Sequence, residues 1–131
     1  MTDSLSALLS AIQNASRARF ATMEIRISKF GIRFLEVLRR GGYIRGFQYQ
    51  LPVSEKVSVL IQLKYTEEGP AVREIRRLSS PGKRTYASFD DLRTPVSNGL
   101  SHLILSTSKG ILYDHEARLL GVGGEVLCAI R

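Results

Sequence analysis

Apolar side chains recur at Leu5, Leu8, Leu9 and Ile12, the i, i+3, i+4, i+7 spacing of one helix face. Asp3 or Ser4 can accept the free first amides of that helix, which is predicted to end near Ser16. Between Ala21 and Ile27 the period changes: Met23, Ile25 and Ile27 alternate with Glu24 and Arg26, as in a half-buried strand. Ser28 then offers a cap to a second helical stripe, Phe30, Phe34, Val37 and Leu38, and Gly41-Gly42 supplies a left-handed stop. Phe47, Tyr49 and Leu51 alternate before a turn at Pro52, and Val57, Val59, Ile61, Leu63 and Tyr65 alternate after it, which predicts a hairpin. Thr66 to Pro70 is polar and without period, so a boundary between two lobes is expected there.

Beyond that boundary the pattern is strand-rich. Val72 to Leu78 reads as a charged strand running into Ser79-Ser80-Pro81-Gly82, where Pro followed by Gly suits the centre of a type II turn. Leu103 to Leu105 is wholly apolar, Asp114 can cap a short helix over Glu116 to Leu120 closed by Gly121, and Val126 to Ile130 is a last strand. The connections near residues 80 and 107 read as Ser-rich loops, and no internal repeat is present. The fold expected is α+β with two small lobes: a helix-strand-helix-hairpin lobe over residues 1–67 and a mainly antiparallel β lobe with one short helix over residues 70–131.

Composition narrows the function. A chain of 131 residues is too short for a large multidomain enzyme, and 44% hydrophobic with 24% charged residues is ordinary globular usage. One Cys cannot form an internal disulfide, and with two His it builds none of the familiar four-ligand zinc sites, so no metal or cofactor is expected. No apolar run approaches the roughly 18 residues of a membrane span, so no membrane partner is expected. The Ser-rich start with Arg17 and Arg19 raises a mitochondrial presequence, but the clean leucine stripe suits a structural helix, and an unprocessed start is expected.

Charge points to a partner. The formal net charge is +7, yet it is concentrated: Arg17 to Arg45 holds eight bases against two acids, and Val72 to Arg84 holds five against one. Clustering of this kind fits a polyanion, and the preponderance of Arg fits phosphate oxygens, which its planar fork can meet with two donors at once.

The chain becomes specific at Ser106-Thr107-Ser108-Lys109-Gly110, followed by Asp114, Ala117-Arg118 and Gly121-Val122-Gly123-Gly124-Glu125-Val126-Leu127-Cys128. This run closely resembles the C-terminal end of bacterial-type small-subunit ribosomal protein eight. Upstream, Ile12-Gln13-Asn14-Ala15, Ser28-Lys29, Gly42-Tyr43-Ile44, Lys64-Tyr65 and Ser79-Ser80-Pro81-Gly82-Lys83-Arg84-Thr85-Tyr86 resemble the same family in the same order. The resemblance implies a non-enzymatic, two-lobed protein that binds the central domain of small-subunit ribosomal RNA, supports its assembly and touches neighbouring small-subunit proteins. It implies that the Ser106 to Gly110 loop (Ser106, Thr107, Ser108, Lys109, Gly110) reads RNA, with Asn14, Ser28, Lys29, Gly82, Arg84, Tyr86 and Glu125 at other RNA-facing positions. Arg17, Arg33 and Lys83 join them from the two basic stretches. Gln13 and Ser80 stand where the family usually has Arg, and the usual Asp-Pro-Ile-type opening is absent. This divergence suggests an organellar, mitochondrial ribosome, with a bacterial cytoplasm or a plastid as alternatives.

The residues suit that task. Structured RNA presents 2′-hydroxyls in a shallow minor groove, which short hydroxyl side chains such as Ser106, Thr107 and Ser108 can meet, while Lys109 reaches a phosphate. Gly110 removes a side chain where backbone approaches. Ser28 and Lys29 stand at a helix N-terminus, where free amides attract an anion; for Ser28 alone an ordinary cap is the better account, and both can hold because a cap uses one amide and leaves others free. Tyr86 places an aromatic plane beside Lys83 and Arg84 for stacking, or simply ends a strand. Glu125 can accept from a base amino group, hold a neighbouring Arg, or be a surface charge. Two other classes compete. A free RNA-binding translational regulator would use the same surface. Ser106-Thr107-Ser108-Lys109 also matches the S-x-x-K of acylating hydrolases, but the companion S-D-N and K-T-G elements are missing. His102 and His115 cannot be paired with a carboxylate from sequence, Gly121 to Gly124 lacks a phosphate-loop ending, and Cys128 reads as a buried thiol.

Overall fold

The computed structural model describes residues 2–80, 82–92 and 101–131, with side chains from Leu5 onward. The chain divides into two compact units, Met1–Arg73 and Glu74–Arg131. The first holds helix α1 (Thr2–Arg17), strand β1 (Thr22–Ile27), helix α2 (Lys29–Arg40), strands β2 (Ile44–Gln48) and β3 (Val57–Leu63), and a short ribbon of β4 (Tyr65–Thr66) and β5 (Gly69–Pro70). The polar Thr66 to Pro70 segment is therefore the tip of a ribbon inside this unit, and the division falls after Arg73.

The three long strands form an antiparallel sheet in the order β1-β3-β2. Central β3 buries Val59, Ile61 and Leu63, the alternate positions that the two-residue period marks. The leucine stripe of α1 (Leu5, Leu8, Leu9, Ile12) and Phe34, Leu35 and Leu38 of α2 are all buried, with α1 in contact with β1 and α2 with β1 and β2. Gly31 permits close contact of α2 with β1, since a Cβ there would stand 2.9 Å from that of Ile27. The hairpin is formed as expected but starts earlier, with buried Ile44 opposite Leu63. Tyr49 and Leu51 lie outside β2, exposed, next to Pro52, which has no N–H to continue the ladder. Gly41 is right-handed (φ −81), and Gly42 (φ 82) makes the left-handed turn.

The second unit holds β6 (Ile75–Arg77), β7 (Tyr86–Ala87), α3 (Phe89–Leu92), β8 (His102–Thr107), β9 (Gly110–Tyr113), α4 (Asp114–Leu120) and β10 (Gly124–Ile130). Its sheet runs β6-β10-β8-β9, with β7 also on β10. Leu105, Val126, Ala117 and Leu92 bury one core face, and Ile104, on the opposite face of β8, is buried too, which is why this strand reads as a continuous apolar run. Three corrections concern this unit. The strand expected from Val72 to Leu78 spans only Ile75–Arg77, where it meets Cys128 to Ile130. Helix α4 starts at Asp114 itself, with Tyr113 at the cap position: Glu116 Oε1 accepts from Tyr113 N at 2.9 Å, and Asp114 Oδ1 accepts from His115 N at 3.0 Å. Helix α3 carries no apolar period and is held by a reciprocal box in which Ser88 N donates to Asp91 Oδ2 (2.9 Å) and Asp91 N to Ser88 Oγ (3.2 Å).

Candidate nucleic-acid interface

The Ser106 to Gly110 segment is a hairpin tip with only two turn residues, not an open loop. Ser106 and Thr107 end β8, Gly110 opens β9 opposite Thr107, and Ser108 and Lys109 turn between them. Thr107 Oγ1 donates to the Gly110 carbonyl at 2.8 Å and accepts from Lys109 N at 3.1 Å, so this hydroxyl clips the turn shut. Gly110 has φ 109 with nothing within 4 Å of an added Cβ; backbone torsion, not crowding by the protein, selects glycine there. Ser108, Lys109 and Gly110 are left exposed.

Beside the tip, β10 lies between β7 and β8. Glu125 is opposite Tyr86 on one side and Ser106 on the other, and directly opposed residues share a sheet face, so Tyr86, Glu125 and Ser106 form one row. Two glycines make this possible: a Cβ on Gly124 would stand 2.2 Å from the Ser106 carbonyl oxygen, and one on Gly123 would stand 2.3 Å from that of Ala87. The Gly-rich run thus lets three backbones come together and is no phosphate loop. Glu125 Oε2 accepts from Arg84 Nη1 at 2.9 Å, the Arg-holding role among the three that its sequence position allows, and Tyr86 is 69% exposed.

The basic turn is anchored from below. Ser80 and Lys83 exchange backbone hydrogen bonds of 2.9 and 3.1 Å, and buried Ser79 accepts from Thr85 N (2.9 Å) through its Oγ, which also donates to the Thr85 carbonyl (3.3 Å). Gly82, Lys83 and Arg84 are exposed on it; the type II turn expected there depends on Pro81, which lies outside the described residues.

In the first unit, Asn14 and Arg17 are exposed on the last turns of α1. Ser28 is the extended N-cap residue of α2 but makes no side-chain capping hydrogen bond, so the ordinary-cap explanation fails. Lys29 and Arg33 follow one turn apart, both exposed. Arg39, one of the eight bases between Arg17 and Arg45, is engaged by Glu36 (Nε to Oε2, 2.9 Å), and this hydrogen bond holds the Glu36 carboxyl below its ordinary range. The sequence reading did not single out a groove lined by Arg19, Arg45 and Lys64. Arg19 stands over the Tyr65 ring at 5.9 Å, and the Tyr65 hydroxyl donates to the Phe20 carbonyl at 2.5 Å. Only the β1-β3-β2 order brings these three cations together, which no local spacing announces.

The competing chemistry finds no support in this geometry. Ser106 lies on a strand with Lys109 in a turn, whereas the hydrolase pattern needs its Ser at a helix start. Cys128 is fully buried, and burial pushes its thiol up to about 12, so it carries no thiolate near neutral pH. His102, Asp114 and His115, unpaired from sequence, do come together.

Against this geometry stand the comparisons with known proteins. Residues 3–130 match the family described as Ribosomal protein S8. The chain is 46% identical to the small ribosomal subunit protein uS8 of Paramagnetospirillum magneticum over 130 residues, covering 99% of this chain and 98% of that protein. It is 44% identical to uS8 of Allorhizobium ampelinum and 43% identical to uS8 of Sinorhizobium medicae, with the same coverage. A match over nearly every residue, with the hairpin tip and the glycine-packed strands in place, is a whole-chain relationship, and the protein belongs to the Ribosomal protein S8 family.

Proposed function

We propose that this protein is a structural component of the small ribosomal subunit, that it binds the central domain of small-subunit ribosomal RNA, and that it supports assembly there. One observation carries the reading: the row Tyr86, Glu125 and Ser106, with the exposed Ser108-Lys109 tip beside it, sets hydroxyls, an aromatic ring and a carboxylate-held Arg84 on one strand end. Short hydroxyls and a stacking ring on a rigid support suit a minor groove and an exposed base. Gly82, Lys83 and Lys109 add donors for phosphates around that row. A second patch, on the first unit, uses Asn14, Arg17, Ser28, Lys29 and Arg33, with the uncapped start of α2 attractive to a phosphate.

The family is not one of enzymes, and no small-molecule substrate is proposed. Neighbouring small-subunit proteins are the other partners. The mitochondrial ribosome expected from divergence finds no support in the relatives, which are bacterial and 43–46% identical; they favour a bacterial ribosome. Sucrose-gradient sedimentation of a lysate tests the role: the protein is expected to travel with the small subunit. Recovery only in light fractions would contradict this and indicate a free regulator.

A further inference from the structure

The two-residue turn at Ser108-Lys109 has a consequence at the other end of the hairpin. Pairing of Thr107 with Gly110 sets the register that places Ile104 opposite Tyr113. His102 opens β8 and His115 is the second residue of α4, so both lie just beyond that last pair, where the chain leaves β9. These are the chain's only two histidines. Their Nδ1 atoms stand 3.6 Å and 3.7 Å from one oxygen, Asp114 Oδ1. Ligand atoms from the three side chains all lie within 4.8 Å of one another.

Those separations are wider than a hydrogen bond. They approach the edge of a tetrahedral coordination shell, since two ligand atoms about 2.1 Å from one ion stand about 3.4 Å apart. The carboxylate is fixed: its side chain is 6% exposed, its second oxygen faces Arg118 Nη1 at 3.8 Å, and that nitrogen also donates to the Leu92 carbonyl at 3.3 Å. The imidazoles are 43% and 50% exposed, so an ion can enter from solvent. Tyr113 orients both rings, stacked on His115 (5.5 Å, 8°) and edge-on to His102 (6.2 Å, 72°).

We propose that His102, Asp114 and His115 form a binding site for a divalent first-row transition ion of the zinc class, with three protein ligands and an outer position open to water or a further donor. Two imidazoles and one carboxylate suit Zn²⁺, Ni²⁺ or Cu²⁺ and offer too few oxygens for Ca²⁺ or Mg²⁺. The count of Cys and His that argues against a four-ligand structural centre does not bear on this set, because its third ligand is a carboxylate. Binding would tie the start of β8 to the start of α4 and stabilise the fold by mass action.

The untagged full chain, titrated with Zn²⁺ at about pH 7.5, tests this. Calorimetry is expected to show saturable uptake at one equivalent, with both imidazole ¹H–¹⁵N spectra shifting together and Mg²⁺ inert. H102Q, H115Q and D114N, with circular dichroism confirming their fold, are each expected to weaken uptake by roughly tenfold or more. Absence of saturable one-to-one uptake by the wild-type chain, imidazole spectra that do not move, or undiminished affinity in folded H102Q or H115Q would overturn the site. If a variant does not fold, the wild-type imidazole spectra decide alone.

Discussion

Glu125 poses the sharpest residue-scale question, because a carboxylate facing a polyanion should repel it. Its hydrogen bond to Arg84 resolves the conflict: one guanidinium nitrogen is held at 2.9 Å while the rest of the fork stays available. Glu125→Gln removes a negative charge yet loosens that hold. RNA affinity in a filter assay is therefore expected to fall by about 0.5–1 kcal/mol, the scale of a partly exposed charge pair. A rise in affinity would show that Glu125 merely repels. Ser108 occupies the exposed tip, and Ser108→Ala is expected to weaken RNA binding by about 1–2 kcal/mol by leaving a groove-edge partner unpaired. Unchanged binding would remove the tip from the interface. Thr107 differs in kind: its hydroxyl is committed to Gly110 and Lys109, so its replacement acts on the turn's shape.

At the scale of elements, the junction of β7, β10 and β8 depends on glycine. Gly124→Ala puts a methyl group 2.2 Å from a backbone oxygen that cannot move without parting the strands. A loss of about 3 kcal/mol, the upper end of overpacking, is expected in urea unfolding, together with loss of RNA binding. An unperturbed midpoint would mean that the strands are less tightly apposed than described. Elements with many periods were legible in the sequence: α1, α2 and β3 each show their buried face as an unbroken repeat. Short ones were not. β6 and β7 have three and two residues and exist only because β10 is there to pair with, while α3 has a single turn whose one local sign is the Ser88-x-x-Asp91 box. Tyr49 and Leu51 show the converse, an alternation continued past the last hydrogen-bonded pair. The hairpin tip was legible in residue type but not in shape, since a Ser-rich segment looks like a loop until its two-residue turn is recognised.

For the whole molecule, clustered charge in the sequence overstated the free cations. Arg39, Arg73 and Arg84 each meet a carboxylate, and Arg76 stands 3.8 Å from Glu74. The proposed RNA contacts differ between the units: a hydroxyl and aromatic row on the second, and exposed cations beside a helix start without a side-chain cap on the first. Such a division suits groove reading by one unit and phosphate contact by the other. The most direct measurement is hydroxyl-radical footprinting of small-subunit ribosomal RNA with the purified protein. Protection confined to the central domain, and lost there when Ser108 and Tyr86 are both replaced by Ala, is the expected result. Uniform cleavage with and without protein, or protection indifferent to that double replacement, would contradict the account.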